Sequence, residues 1–343
     1  MGSSVDVVVV GGSAELLDVA SISIGHLERC WSRFLPDSDI SRLNHAAGST
    51  VHIDPATTVL LEAMIEGWRA TAGAFDPTLL VPLVSLGYAA SWSDPAAVTS
   101  VPAGAMLRSD LDELLIDRAG NVAAAPRGMC LDAGGIGKGL AADLVVEQLI
   151  DRGALGASVS IGGDVAVRGL APEGAGWLIG ITDALSGGDT DVEVGQLMLV
   201  EGGVATSGTL RRRWIGDDGT SVHHLLDPLT GRPARHTHEI VAVTVIAGTA
   251  AWAEVWTKAV MVRGTAVFDD LDGHGLGACV TFADASTTTN QGWASYDVSA
   301  EQRGDVVGEE VEMLEVRQIE HLQVDPFGAG IDEAPDRRGS LLR

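Results

Sequence analysis

Residues 131–143 read LDAGGIGKGLAAD, and this stretch limits the folds open to the chain more than any other. Asp132 ends an apolar approach, four glycines are spread through the turn, and Leu140, Ala141, Leu144, Val145, Leu149 and Ile150 then recur at helical spacing. A glycine-rich turn feeding a helix leaves backbone N–H groups at the positive end of the helix dipole, which suits a phosphate or pyrophosphate. Glycine lets an anion come close to the backbone, and Lys138 adds a mobile point charge. The spacing is neither GxxxxGK[ST], because Gly139 follows Lys138, nor a GxGxxG opening a βαβ unit. Gly134, Gly135, Gly137 and Gly139 serve equally as a tight turn that packs a helix onto a sheet.

Composition narrows the partners. Forty-seven acidic residues against 22 basic ones give a formal charge of −25, which argues against wrapping a nucleic acid. Any anionic ligand must therefore be held by local groups, by helix ends or by a metal. With 46% hydrophobic residues and a mean hydropathy of +0.21, the 343-residue chain is globular and can bury one large or two smaller cores. Cys30, Cys130 and Cys279 are far apart and form neither a disulfide framework nor a CxxC zinc pattern. No apolar run reaches the roughly 18 residues of a membrane span. The N-terminus lacks the parts of a signal peptide, so the chain as written is expected in the cytoplasm.

Periodicity predicts a strand at 5–10, helices over 14–33 and 56–72, and a hairpin in 111–124 turning at 118–121. Residues 91–104 are rich in Ser, Pro and Ala, hence loop. Two strands are expected in 157–169 around Gly162-Gly163-Asp164, and two more at 177–182 and 194–200 flanking a Gly/Asp-rich loop. A strand at 240–247 leads to a helix over 249–263. Ser38 is placed to cap a short helix over Ile40 and Leu43, and Asp76 followed by Pro77 points to a turn or a helix start, Pro77 suiting a first helical position. Hairpins are too frequent for a purely parallel sheet, which favours an α+β architecture.

Seven segments follow in order: MGSSV, RFLPDSDISRLN, GAFDP, LDAGGIGKG, IGGDVAVRG, VATSG with HHLLDPLTGRP, and AEVWTKAVMVRG. In this order, from Met1 to about residue 280, they resemble the FAD:protein FMN transferases, the ApbE-like flavin transferase family. The resemblance implies an α+β, T-fold-like domain of mixed or antiparallel sheets with packed helices, taken here as 1–300. An acidic, polar tail at 301–343 is expected to be poorly ordered or to fold only against a partner. It implies binding of FAD with the help of Mg²⁺ and transfer of FMN, through a phosphoester, onto a Ser or Thr of an acceptor flavoprotein, with AMP leaving. Family chains usually begin before this Met, so a missing N-terminal extension would be the place for an export or lipoprotein signal.

Site residues follow from the same resemblance. Met1 and Phe34 match flavin contacts, Phe34 where an aromatic, usually Tyr, lies against the isoalloxazine. Ala74, Phe75 and Asp76 match the AFD segment that lines FAD. Asp132, Gly134 and Lys138 of the turn, Ser207, and His224 with Leu225 complete the FAD set. His224 and Asp76 are the catalytic candidates, expected in one cleft with Lys138. For the metal, Gly135 would offer its carbonyl. The family's ADxxxT pattern becomes Glu254 and Lys258 here. An ammonium cannot ligate a metal, and two like unit charges at ~4 Å repel by about 4 kcal/mol at an effective dielectric of ~20. Either the metal moves, or Lys258 pairs with Glu254 and with the pyrophosphate in its stead. Besides transfer, two other activities remain open: a flavin carrier with impaired transfer, and a hydrolase that cleaves the FAD pyrophosphate.

Overall fold

IVAVTVIA at Ile240–Ala247 is apolar at all but one position, and all eight residues are buried. Such a strand belongs in the middle of a sheet covered on both faces. In the computed structural model, which describes residues 3–172, 174–182, 184–186, 193–216, 219–234, 236, 239–296 and 316–319, it lies in an eight-stranded sheet. The order across that sheet is Thr287–Thr289, Gly277–Phe282, Ile240–Ala247, Gly202–Gly208, Asp164–Gly169, Gly156–Ile161, Val5–Val10 and Val316–Ile319. Every neighbouring pair is antiparallel. Successive residues point to opposite faces. Val5, Val7, Val9, Val243 and Val245 join the main core on one face. Val10, Val204 and Ile246 join Trp177, Leu197 and Leu199 of a separate hairpin on the other.

The helices are α1 (Glu15–Trp31), α2 (Asp39–His45), α3 (Pro55–Ala70), α4 (Leu80–Ser85), α5 (Gly137–Asp151), α6 (Ala250–Arg263) and α7 (Phe268–Gly273). Their starts are chemically marked. Ser38 Oγ accepts from Ser41 N–H at 3.1 Å, and Asp54 caps α3 just ahead of Pro55. Helix α6 is buried over ten of its 14 residues, so it carries no polar stripe. Two glycines let it sink this deep. A Cβ on Gly139 of α5 would lie 2.4 Å from the Ala250 carbonyl oxygen, and one on Gly203 would lie 2.1 Å from Ala250 N. The first N–H groups of α6, at Ala250 and Ala251, donate to the two oxygens of Asp143 at 2.8 Å each.

The α+β reading and the elements expected up to residue 263 agree with this architecture within a residue or two, but they do not include the central strand Gly202–Gly208. Of the two readings at Asp76-Pro77, the structure takes the turn: Asp76 Oδ1 accepts from Thr78 N–H at 2.8 Å and from Thr78 Oγ1 at 2.7 Å, and α4 begins only at Leu80. The Gly/Asp-rich loop after 186 and most of the tail lie outside the described residues. Within the tail, Val316–Ile319 pairs with Val5–Val10.

Candidate functional site

The glycine-rich turn between Asp132 and Gly137 faces a cleft built by four distant segments. Phe34, Tyr88 and Trp92 give it an aromatic wall, while Ala74, Phe75, Asp76 and Leu225 line it from other sides. The wall is fastened by Arg33, which is buried. Its guanidinium stacks 4.3 Å from the Phe34 ring centre and 4.7 Å from that of Tyr88. It also donates to Thr99 Oγ1 and to the Tyr88 carbonyl at 3.0 Å each, and it lies 3.6 Å from Asp132. Arg33 thus joins the end of α1, the 88–99 loop and the glycine-rich turn.

A second, more polar cleft adjoins the first. It is lined by Ser3, Ser4, Thr206, Ser207 and Arg211 among others, and the two clefts share Gly134, Lys138, Arg212, His224 and Lys258. That shared wall is ionic. Lys138 pairs with Asp164 and donates to Glu254 Oε1 at 2.6 Å. Lys258, one turn along α6 from Glu254, donates to the same Oε1 at 3.2 Å. Glu254 Oε2 accepts from Gly139 N–H at 2.9 Å. A protein carboxylate therefore takes a donor in the first turn of α5 that the turn alone would offer to a phosphate. Gly134 N–H is likewise taken, by Asp132 Oδ1 at 3.1 Å. Lys138 is no mobile charge but a counter-ion to two carboxylates.

Burial and pairing set the charges. Burial opposes the Lys138 charge, but Asp164 and Glu254 outweigh it and raise its pKa above the ordinary lysine range. For Lys258 burial prevails, helped by neighbouring Lys138, and its pKa falls despite Glu254. Burial would lift Glu254, but the two ammoniums hold it well below the usual carboxylate range. Burial lifts Asp164, and the nearby Glu254 charge adds to the rise. His224 is pushed well below its ordinary value by burial, then by the charges of Arg212 and Lys258, so its imidazole is neutral at pH 7.

Among the described residues, three buried polar atoms of side chains that line the cleft have no partner, one of them the indole N–H of Trp31. His224 Nδ1 and Asp76 Oδ2 are both buried and unbonded in the structure. Unpaired buried polar groups are costly and mark places where a ligand completes the bonding. Ser207 is occupied, its Oγ 2.7 Å from Thr257 Oγ1.

The donor set does not fit a divalent ion at Glu254. Oε1 already receives two ammoniums and Oε2 a backbone N–H. The Lys258 stem passes 3.8 Å from where a Cβ on Gly135 would lie, so the ammonium arm runs beside that residue. Among the described residues, the grouping of three His, Cys, Asp or Glu ligands close enough to share an ion is His26, Cys30 and Asp54, and none of these lines the cleft.

The structure thus brings Phe34, Ala74, Phe75, Asp76, Asp132, Gly134, Gly135, Lys138, His224, Leu225 and Lys258 to one cleft, with Ser207 in its polar neighbour. Glu254 lies behind the ionic wall, and Met1 is outside the described residues. Sequence reasoning missed Arg33, Tyr88, Asp164 and Arg212. A lone Asp closing the apolar hairpin 157–169 was the available signal for Asp164.

A profile of the ApbE family matches residues 1–274. A Salmonella typhimurium protein named FAD:protein FMN transferase is 31% identical over 242 residues, covering 68% of this chain and 67% of its own. A Treponema pallidum protein of the same name is 32% identical over 247 residues, 66% of each chain. Among solved structures, the ApbE protein of Thermotoga maritima superposes with a TM-score of 0.71 at 25% identity, over 85% of this chain and 96% of its own. The flavinyl transferase ApbE of Pseudomonas stutzeri, in its apo form, gives 0.66 at 27%, over 83% and 89%.

Proposed function

The chain belongs to the ApbE family, and from that premise we propose that it binds FAD and transfers FMN to a Ser or Thr hydroxyl of an acceptor protein, releasing AMP. One observation carries this: an aromatic cleft and a polar cleft meet across a single wall bearing Lys138, Lys258 and Arg212. FAD has the matching shape, a flat ring system and a nucleoside joined by a pyrophosphate. The isoalloxazine lies against Phe34 and Tyr88, the pyrophosphate crosses the shared wall, and the adenosine enters the polar cleft.

Phosphoryl transfer of this kind asks the protein for positioning and charge stabilisation more than for covalent chemistry. The acceptor oxygen attacks the FMN phosphorus, the bond from that phosphorus to the bridging oxygen breaks, and AMP departs with the bridging oxygen. The hydroxyl proton passes to His224, whose neutral imidazole keeps Nδ1 free. Asp76 Oδ2, also unpaired, orients a hydrogen-bonding group of the flavin or the incoming hydroxyl.

The test is incubation with FAD and a lysate as acceptor source, followed by AMP quantification and in-gel flavin fluorescence. Transfer yields AMP together with a covalently fluorescent band. AMP and free FMN without a band would identify a hydrolase, and FAD bound without AMP release a carrier. Replacing His224 with Asn is expected to slow AMP release by about 10²–10⁴-fold while FAD still binds. Retention of the full rate would remove His224 from the chemistry.

A further inference from the structure

Lys138 and Lys258 are not equivalent. Lys138 is held by two carboxylates, Asp164 and Glu254. Lys258 has Glu254 alone and shares the oxygen it touches with Lys138. Asp164 is committed elsewhere, its other oxygen 3.4 Å from Thr206 N. Lys258 is therefore the under-compensated cation of the wall, and its side chain reaches both clefts. Arg212 lines both clefts as well. A pyrophosphate diester carries two negative charges, and these two side chains supply two positive ones at the junction.

We infer that Lys258 is the resident cation of this site: its ammonium turns from the shared Glu254 oxygen to the phosphate linker of FAD, and the linker is bound without a divalent ion. This rests on the proposal that FAD is the ligand. The geometry behind it is independent of that proposal. Both Glu254 oxygens are filled by the protein's own donors, so an ion could bind Glu254 only by displacing an ammonium. Burial and Lys138 disfavour the Lys258 charge, and a phosphate beside it would relieve that.

Two measurements decide it. The first is FAD fluorescence quenching by the purified full chain, with EDTA or with millimolar Mg²⁺. The expected Kd agrees within about twofold between the two conditions. Lys258→Met weakens it about tenfold or more, as loss of a charged hydrogen bond does, and Lys258→Arg restores most of it. Binding that appears only with Mg²⁺ would overturn the inference and leave FAD as the ligand. No quenching under either condition would remove the flavin proposal and this inference together. The second measurement needs no flavin. Mn²⁺ titration followed by electron paramagnetic resonance should show no site sensitive to Glu254→Gln in the unaltered protein, and should show one in the Lys258→Thr variant. A Glu254-dependent Mn²⁺ site in the unaltered protein would overturn the inference outright.

Discussion

At the scale of single residues, the ionic wall separates side chains that hold the fold from those that face a ligand. Lys138 pairs with Asp164 and Glu254, both buried. Removing one partner of a buried ion pair leaves uncompensated charge and costs about 3–5 kcal/mol. Lys138→Met is therefore expected to lower unfolding free energy by that amount in urea titration. A loss below about 1 kcal/mol, the size of an exposed pair, would mean that the cluster is solvated and not structural. The motif that contains Lys138 was legible in the sequence, but its role was not. A lysine in a glycine-rich turn has the same local signature whether it meets a phosphate or two carboxylates. Those carboxylates lie 26 and 116 residues away in the chain. Arg33 was hidden for the same reason, since nothing near Phe34 in the sequence announces that the neighbouring guanidinium is buried.

At the scale of elements, periodicity identified the long helices α1, α3, α5 and α6 and such strands as Val5–Val10, Gly156–Ile161 and Ile240–Ala247, because their apolar positions recur at fixed spacing. It left a turn and a helix start both open at Pro77, where the side chain of Asp76 bonds locally to Thr78 and holds a turn. It failed to mark Gly202–Gly208, whose glycines read as loop, and Gly277–Phe282 and Thr287–Thr289, which lack clear alternation of apolar and polar residues. The contact between α5 and the start of α6 makes a pH prediction. Burial lifts the Asp143 pKa from 3.8 to about 6, against the pull of the Ala250 and Ala251 N–H groups. A folded-state pKa above the unfolded one means that the folded protein holds the proton more tightly. This contribution to stability is therefore present near pH 4 and lost as pH rises to 6, by about 3 kcal/mol at 1.36 kcal/mol per unit. Asp143→Asn keeps an acceptor but cannot titrate. The stability difference between the unaltered protein and this variant should shift across that window in urea titrations and be flat above pH 7. No slope between pH 4 and 6 would show that the two N–H groups outweigh burial.

At the scale of the whole molecule, the sheet sets the distance between the two compartments. The ionic wall draws on α5, α6 and the hairpin turning at Asp164, so both halves of a dinucleotide bear on one rigid body. Ligand at about 100 times its Kd stabilises by about 2.7 kcal/mol, and a chain of this size gains roughly 2–4 °C per kcal/mol. Saturating FAD should therefore raise Tm by about 5–10 °C. FMN and AMP, each filling one compartment, should raise it less at the same concentration. An FMN shift equal to that of FAD would show that the polar cleft takes no part. The order of the sequence motifs announced one site of this kind, because segments from residue 34 to residue 258 carried its pieces. The sequence could not announce how those pieces are held before a ligand arrives. Arg33 already fixes the rings of Phe34 and Tyr88 through stacking and through its bonds to Thr99 and Asp132. On the proposed binding mode, an entering flavin would meet a preorganised slot and forfeit little entropy in ordering it. Its affinity then depends mainly on the fit of the ring and on the charge exchanged at the linker.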